Sequence, residues 1–331
     1  MVAIGIIGIG RWGINYFRTF NEMKEVSVKW ICATKNDTIR EAISIINPIY
    51  SVKTTLDYRD VLRDKEIEAV IITTPGTTHY RIASASLSAN KHVLVEKPLC
   101  LKSAEIRELI SISEQRKKIL MVGYIHLYNP PIRKLREDII AGVFGKIHYI
   151  QSCGTGNGPV RQDMSALWDI LSHDVSILFY LLEQTPLKVS AVGKSYLKDK
   201  IVDMVTMNLF FPENVFATAF ASWLYPLKKR EVIVVGEKLY AVFDDYTMTE
   251  KLKYYDSRLQ VYSKNPSVGY YSPPLKDAKP LTEQVKHFLY CIKNNKLALT
   301  NGYEALKINS VLESAEQSLK NEELSVLNKN I

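Results

Sequence analysis

Four cysteines in 331 residues, with no Cys-x-x-Cys pair and no clustered histidines, set the first limits on this chain. Cys32, Cys100, Cys153 and Cys291 are too scattered for a metal knuckle or a disulfide framework. The expectation is a reducing, cytoplasmic setting and no metal. Runs of like charge are also missing. The formal charge is +8, yet no five consecutive lysines and arginines occur. One run of three, Arg116-Lys117-Lys118, falls where a helix should end and cations suit its dipole. Nucleic acid is therefore not expected as a partner, whereas a mild positive field suits an anionic small substrate. No stretch approaches the ~18 continuous apolar residues of a membrane span, so no membrane partner is expected. The apolar start, Met1 to Gly10, lacks a basic leader and a cleavage site and reads as a first strand.

At 331 residues the chain is longer than the ~250–300 at which single cores stop growing, which predicts two domains, and its hydrophobic content of 47% is ordinary. Residues 1–122 alternate strand and helix patterns: Val2–Ile7, Val26–Ala33, Ala69–Thr73, His92–Val95 and Ile119–Val122 as strands. Helices are expected over Trp12–Met23, Asp37–Ile46, Thr78–Ala89 and Ser103–Arg116, with Asp37 and Ser103 as caps of the second and the fourth. Such alternation implies an α/β, doubly wound parallel sheet. Residues 123–331 change character. A helix over Pro130–Ala141, a strand over Ile147–Cys153 and a helix over Ala166–Leu182 precede strands in direct succession from Lys188 to Tyr255. Pro212-Glu213-Asn214 reads as a hairpin turn. Ser263–Lys279 reads as an irregular loop, and helices over Thr282–Asn294 and Tyr303–Lys320 close the chain. The second domain is thus expected to be α+β with an open, mainly antiparallel sheet, with the closing helices free to pack back on the first domain.

Gly8-Ile9-Gly10-Arg11-Trp12-Gly13 follows a strand and opens a helix, the context in which Gly-x-Gly-x-x-Gly binds a dinucleotide. The first glycine allows the turn, the second lets backbone approach a pyrophosphate, and Gly13 lets helix and strand pack closely. Arg11 and Trp12 lie inside this loop and are cofactor contacts by position. The second strand should end in a carboxylate for the adenosine ribose. It ends instead in Cys32-Ala33-Thr34-Lys35-Asn36. Without that acid, Thr34 and Lys35 could take a 2′-phosphate, so the cofactor is expected to be NAD(P), leaning to NADP. Thr74, Pro75 and His79 follow the next strand. Thr74 and Pro75 could face the nicotinamide ribose, and His79 either joins them or is an ordinary first-turn helix residue.

Glu96-Lys97-Pro98 ends the apolar run His92-Val93-Leu94-Val95, at the strand end where parallel sheets bind ligands. In the second half, Asp169 and His173 are four apart and would share a helix face. A carboxylate that orients an imidazole suits a general base near neutral pH. Tyr124, His126 and Asn129 follow the expected domain junction and could line a substrate pocket. Trp168 flanks Asp169, and Arg161 has a fork suited to a carboxylate or phosphate.

Together these motifs resemble the Gfo/Idh/MocA oxidoreductase family over essentially the whole chain, including Leu299-Thr300-Asn301-Gly302. The resemblance implies a catalytic set of Lys97, Asp169 and His173, with Glu96 positioning Lys97. Gly158-Pro159-Val160-Arg161-Gln162-Asp163, Ala166-Leu167-Trp168-Asp169, Ala221-Ser222-Trp223-Leu224 and Val234-Val235-Gly236-Glu237-Lys238 look like the subgroup working on nucleotide sugars. That subgroup oxidises position 3 of a UDP-linked N-acetylated hexose, such as UDP-N-acetylglucosamine or its uronate. A cyclitol or free-sugar dehydrogenase of the same family is the alternative. A non-catalytic sensor of dinucleotide or sugar is the alternative from another class. A homo-oligomer, dimer or tetramer, is expected through the open sheet.

Overall fold

The computed structural model describes residues 1–49, 51–156, 160–256, 269–321 and 325–326. The chain divides into two compact units, one of Met1–Ile125 with Leu281–Asn309, the other of His126–Pro280 with the residues from Ser310.

In the first unit, six strands form a parallel sheet: β1 (Val2–Ile7), β2 (Val26–Cys32), β3 (Lys53–Thr55), β4 (Ala69–Ile72), β5 (His92–Val95) and β6 (Leu120–Val122). Their order is β3-β2-β1-β4-β5-β6. The order reverses direction between β1 and β4, which places the ligand crevice at their carboxyl ends. Helices α1 (Gly13–Asn21), α2 (Asn36–Ile46), α3 (Tyr58–Arg63), α4 (His79–Ser88) and α5 (Ser103–Gln115) make the crossovers. Both faces are covered, so every residue of β4 is buried, as a parallel sheet requires. β3 and α3 were not foreseen. Lys53-Thr54-Thr55 carries no apolar run, because an edge strand needs none on its open side.

Two helical starts also differ from expectation. Lys35 and Lys102, not Asp37 and Ser103, occupy the cap positions of α2 and α5. Asp37 lies in the first turn and pairs with Arg40. Beyond the sheet, α8 (Pro280–Asn294) and the start of α9 (Gly302–Asn321) belong to this same unit through residue 309. Thr300 lies beside β6: the Val122 N–H donates to the Thr300 carbonyl oxygen and the Thr300 hydroxyl donates to the Val122 carbonyl oxygen, each at 2.7 Å.

The second unit begins with α6 (Pro130–Ile140) and β7 (Ile147–Thr155). A π-helical turn over Leu167–Leu171 runs into α7 (Ser172–Leu182), so the expected helix is not α-helical throughout. Then come β8 (Lys188–Lys194), β9 (Met204–Phe210), β10 (Phe216–Ser222), β11 (Lys229–Gly236), β12 (Leu239–Asp244), β13 (Leu252–Asp256), β14 (Tyr270–Tyr271) and β15 (Ser325–Val326). Among the described residues they form one sheet, ordered β14-β13-β12-β11-β7-β10-β9-β8-β15. All pairings are antiparallel except β10 with β7. The hairpin turn at Pro212–Asn214 holds Glu213 and Asn214 at φ 57° and 61°. β14 lies inside the stretch expected to be irregular, and residues 263–268 of that stretch are outside the described residues.

Side chains alternate between two faces along β9, β11 and most of β10. Val205, Met207 and Leu209 of β9 and Ala217, Ala219 and Ala221 of β10 are buried, while their neighbours point to the other, half-exposed face. The alanines of β10 leave room for the π turn, and a Cβ on Gly154 of β7 would come within 2.5 Å of Ile170.

Candidate cofactor cleft and catalytic residues

A cleft of about 650 Å³ opens at the carboxyl ends of β1, β2 and β4, within the range of small-ligand sites. Gly8 and Gly10, Cys32 to Thr34, and Thr74 and Pro75 line it. Gly8 and Gly13 are required by geometry. Gly8 has φ +99°, and a Cβ there would sit 2.8 Å from the backbone of Thr73 and Thr74. A Cβ on Gly13 would strike the carbonyl oxygen of Gly8. At Gly10 the space is open on the Cβ side, so backbone N–H groups at the start of α1 can be approached by a phosphate. These residues fit a dinucleotide.

The structure also brings in residues the sequence did not single out. Tyr58, Arg59 and Arg81 line the same cleft, with the Arg81 guanidinium 5.9 Å from the Tyr58 ring centre. Asp57 is the carboxylate that reaches the cleft, and Arg59 Nε holds it at 2.9 Å. Asp57, Tyr58 and Arg59 arrive at the start of α3, an element without a sequence signal, whereas Arg81 comes from α4. Lys35 is exposed at the start of α2. Cys32 carries no reactive thiolate: burial pushes its thiol up to about 12, with Asp57 and Asp60 adding to the effect.

Glu96 and Lys97 follow β5. The Glu96 carboxylate accepts hydrogen bonds from Trp12 Nε1 and, at 2.8 Å, from Tyr16 Oη. Gln284 of α8, fully buried, donates to Tyr16 Oη at 2.6 Å. The Lys97 backbone N–H is 3.3 Å from Glu96 Oε2. Glu96 therefore fastens the glycine loop and α1 to the strand end that carries Lys97, a wider task than positioning its neighbour. Burial raises its carboxyl above the usual range, outweighing the donors that lower it. The Lys97–Pro98 peptide bond is cis. Two expected contacts are enclosed by protein. His79 is 1% exposed, with both ring nitrogens on backbone carbonyls, and Tyr124 is buried outright.

In the second unit the π turn carries Asp169. Its hydrogen bonds run from residue i to i+5, which adds a residue to the turn and is frequent at functional sites. Asp169 lies in this π turn and His173 in the first turn of α7, so the pair spans the junction of the two helix types. Trp223 Nε1 donates to Asp169 Oδ2 at 3.2 Å, and Arg161 Nη1 lies 3.6 Å from Asp169 Oδ1. The fork of Arg161 is occupied: Nε and Nη2 donate to the two oxygens of Asp163 at 3.0 and 2.9 Å. Asp163 raises the Arg161 guanidinium, and Asp169 adds to the effect against burial. Trp168 is 4% exposed and serves the core. Gly158 and Pro159, which begin the loop leading to Arg161, lie outside the described residues.

His126 meets His173 edge to face, ring centres 4.7 Å apart. Asn129 occupies the N-cap position of α6, but its side chain makes no capping hydrogen bond; its Nδ2 donates to Asp245 Oδ1 at 3.1 Å. Asp174, next to His173, is fully buried, accepting from Ser152 Oγ and, at 2.8 Å on each oxygen, from Arg230 Nη1. The ion pair pins the first turn of α7 to β7 and β11.

Comparison with known proteins agrees with both halves. Residues 2–124 match a model described as oxidoreductase family, NAD-binding Rossmann fold, and residues 132–242 match the corresponding C-terminal domain. UDP-N-acetylglucosamine 3-dehydrogenase of Acidithiobacillus ferrooxidans is 25% identical over 92% of this chain and 93% of its own. Its crystal structure superposes with a TM-score of 0.84 over 96% of this chain and 97% of that chain. A protein of Magnetospirillum magnetotacticum MS-1 described as an oxidoreductase is 30% identical over 94% of this chain and 98% of its own, with a TM-score of 0.83. Inositol 2-dehydrogenase of Salmonella typhimurium LT2 is 27% identical over 54% of each chain.

Proposed function

Because this chain belongs to the Gfo/Idh/MocA family of NAD-binding oxidoreductases, we propose that it oxidises position 3 of a UDP-linked N-acetylated hexose. The observation that carries this reading is the end-to-end match to a UDP-N-acetylglucosamine 3-dehydrogenase. The inositol dehydrogenases match over half the chain only, and they are the reason to keep a cyclitol or free sugar as the second reading.

In this reading Gly8, Gly10, Arg11, Trp12 and Gly13 hold the pyrophosphate of NAD(P), and Thr34, Thr74 and Pro75 contact its ribose ends. The bound nicotinamide supplies the acceptor for the hydride that leaves the carbinol carbon. His173 takes the hydroxyl proton, oriented by Asp169. Lys97 hydrogen-bonds the same oxygen and stabilises the negative charge that develops on it. Arg161 reaches a substrate anion only by releasing Asp163. The lean to NADP rests on the missing acid after β2.

The half-exposed sheet face of the second unit suits a second copy of the chain. Phe216 of β10 lies between Phe210 of β9 and Tyr149 of β7, and Tyr149 is also paired with Val235 of β11. An apolar face of this extent calls for cover. Light scattering should give a dimer or tetramer; a monomer at micromolar concentration overturns the assignment.

A panel of UDP-sugars and free polyols, followed at the reduced-nicotinamide absorbance with NAD and with NADP, tests the function. Turnover of UDP-N-acetylglucosamine or its uronate is expected, and turnover of inositol alone overturns the substrate. At least tenfold tighter NAD binding overturns the cofactor lean. Lys97→Ala and His173→Ala should each reduce turnover by about 10³-fold or more, with dinucleotide affinity nearly intact.

A further inference from the structure

His79 opens α4 and has almost no contact with solvent. Its Nδ1 is 2.7 Å from the Pro98 carbonyl oxygen, and its Nε2 is 2.8 Å from the Thr74 carbonyl oxygen. Carbonyl oxygens only accept, and a neutral imidazole has one N–H and one lone pair. In either neutral tautomer, one nitrogen would aim its lone pair at an oxygen at hydrogen-bond distance. Turning the ring over does not help, because it would put C–H groups where both N–H groups now point.

We infer that His79 is held as an imidazolium, a strut between the Thr74-Pro75 turn and the Lys97-Pro98 turn that makes it a positioning residue for Lys97. The positioning role rests on the proposed part of Lys97 in the reaction. Both turns leave the carboxyl ends of adjacent strands, β4 and β5. One carries the cleft residues Thr74 and Pro75, and the other carries the lysine. A hydrogen bond whose donor is charged is roughly twice as strong as a neutral one, and His79 makes two, which offsets the cost of burying its charge. The charged side chains on its own helix, on the Glu96–Cys100 turn and on the first two turns of α5 are Arg81, Glu96, Lys97, Glu105, Arg107 and Glu108. Arg81 faces the Tyr58 ring, Glu96 takes Trp12 and Tyr16, and Glu108 takes Tyr80. The carbonyls supply the acceptors that the strut needs.

Long-range proton–nitrogen spectra of histidine-labelled protein at neutral pH test this directly, with the His79→Gln variant assigning the signals. Both His79 nitrogens should show the protonated pattern. A His79 nitrogen with a lone-pair shift overturns the inference. In the same variant, which keeps one donor and no charge, turnover should fall about tenfold while dinucleotide Kd changes less than about threefold. Undiminished turnover in folded His79→Gln removes the positioning role. The spectra decide the protonation state whether or not any sugar is turned over, so failure of the functional reading leaves a separate mark.

Discussion

The two units hold their buried carboxylates by opposite means. Glu96 is held by neutral donors, Trp12 and Tyr16, and its carboxyl is raised by burial. Asp174 is held by a cation, Arg230, with Ser152 beside it. The difference follows from what each anchors. The first unit fixes its glycine loop through two neutral donors on Glu96, with the charge of the adjacent Lys97 a lesser contribution. The second must fasten a helix turn to a sheet, and Arg230 Nη1, bonded to both oxygens of Asp174, supplies a charge-assisted tie there.

Breaking the Asp174–Arg230 pair should have the largest effect. Removing one partner leaves a buried charge uncompensated, at a cost of about 3–5 kcal/mol. Arg230→Met should lower the unfolding free energy by that amount in urea titration, and Asp174→Leu with Arg230→Met together should recover part of it. Equal losses in the single and double variants would mean the charge is not the issue.

Gly13→Ala is the next test, aimed at the other side of the comparison. The added methyl meets the Gly8 carbonyl, so the loop must shift. Dinucleotide affinity should weaken about tenfold or more, a cost of about 1.4 kcal/mol, read by calorimetry. Unchanged affinity would detach the glycine loop from cofactor binding.

Glu96→Gln should give the smallest effect, and in the opposite direction. A carboxyl raised in the folded state binds its proton more tightly there than in the unfolded chain. Stability therefore falls as pH rises through the interval between the two values and stays lower above it. Glutamine cannot ionise and escapes that loss. The variant should melt about 1–3 °C higher than the parent at pH 8, with a smaller gain at pH 5. A lower melting point at pH 8 would show that the ionised form is the one the fold favours.

Much of the first unit was legible because its signals are local. Buried parallel strands read as apolar runs, and the glycine loop has a fixed spacing. The loop's fastening was not legible, since Tyr16 and Gln284 are 268 positions apart and look like ordinary helix residues. β3 and α3 escaped notice because an edge strand needs little hydrophobicity, yet they bring Asp57, Tyr58 and Arg59 to the cleft. In the second unit the strand succession was readable from alternation. The parallel pairing of β7 with β10 was not, because alternation does not encode strand direction. The helix period likewise gave no warning of the π turn at Asp169.

The sequence by itself determined the strand–helix order of the first unit, the sheet character of the second, and the residue types able to bind a dinucleotide and move a proton. These depend on periodicity, turn chemistry and side-chain identity, which are properties of neighbours in the chain. Tertiary structure alone decided that Trp223 donates to Asp169, that His126 rests on His173, and that His79 lies between two carbonyls. Those facts depend on which distant backbone groups share a small volume, and packing rather than spacing sets that.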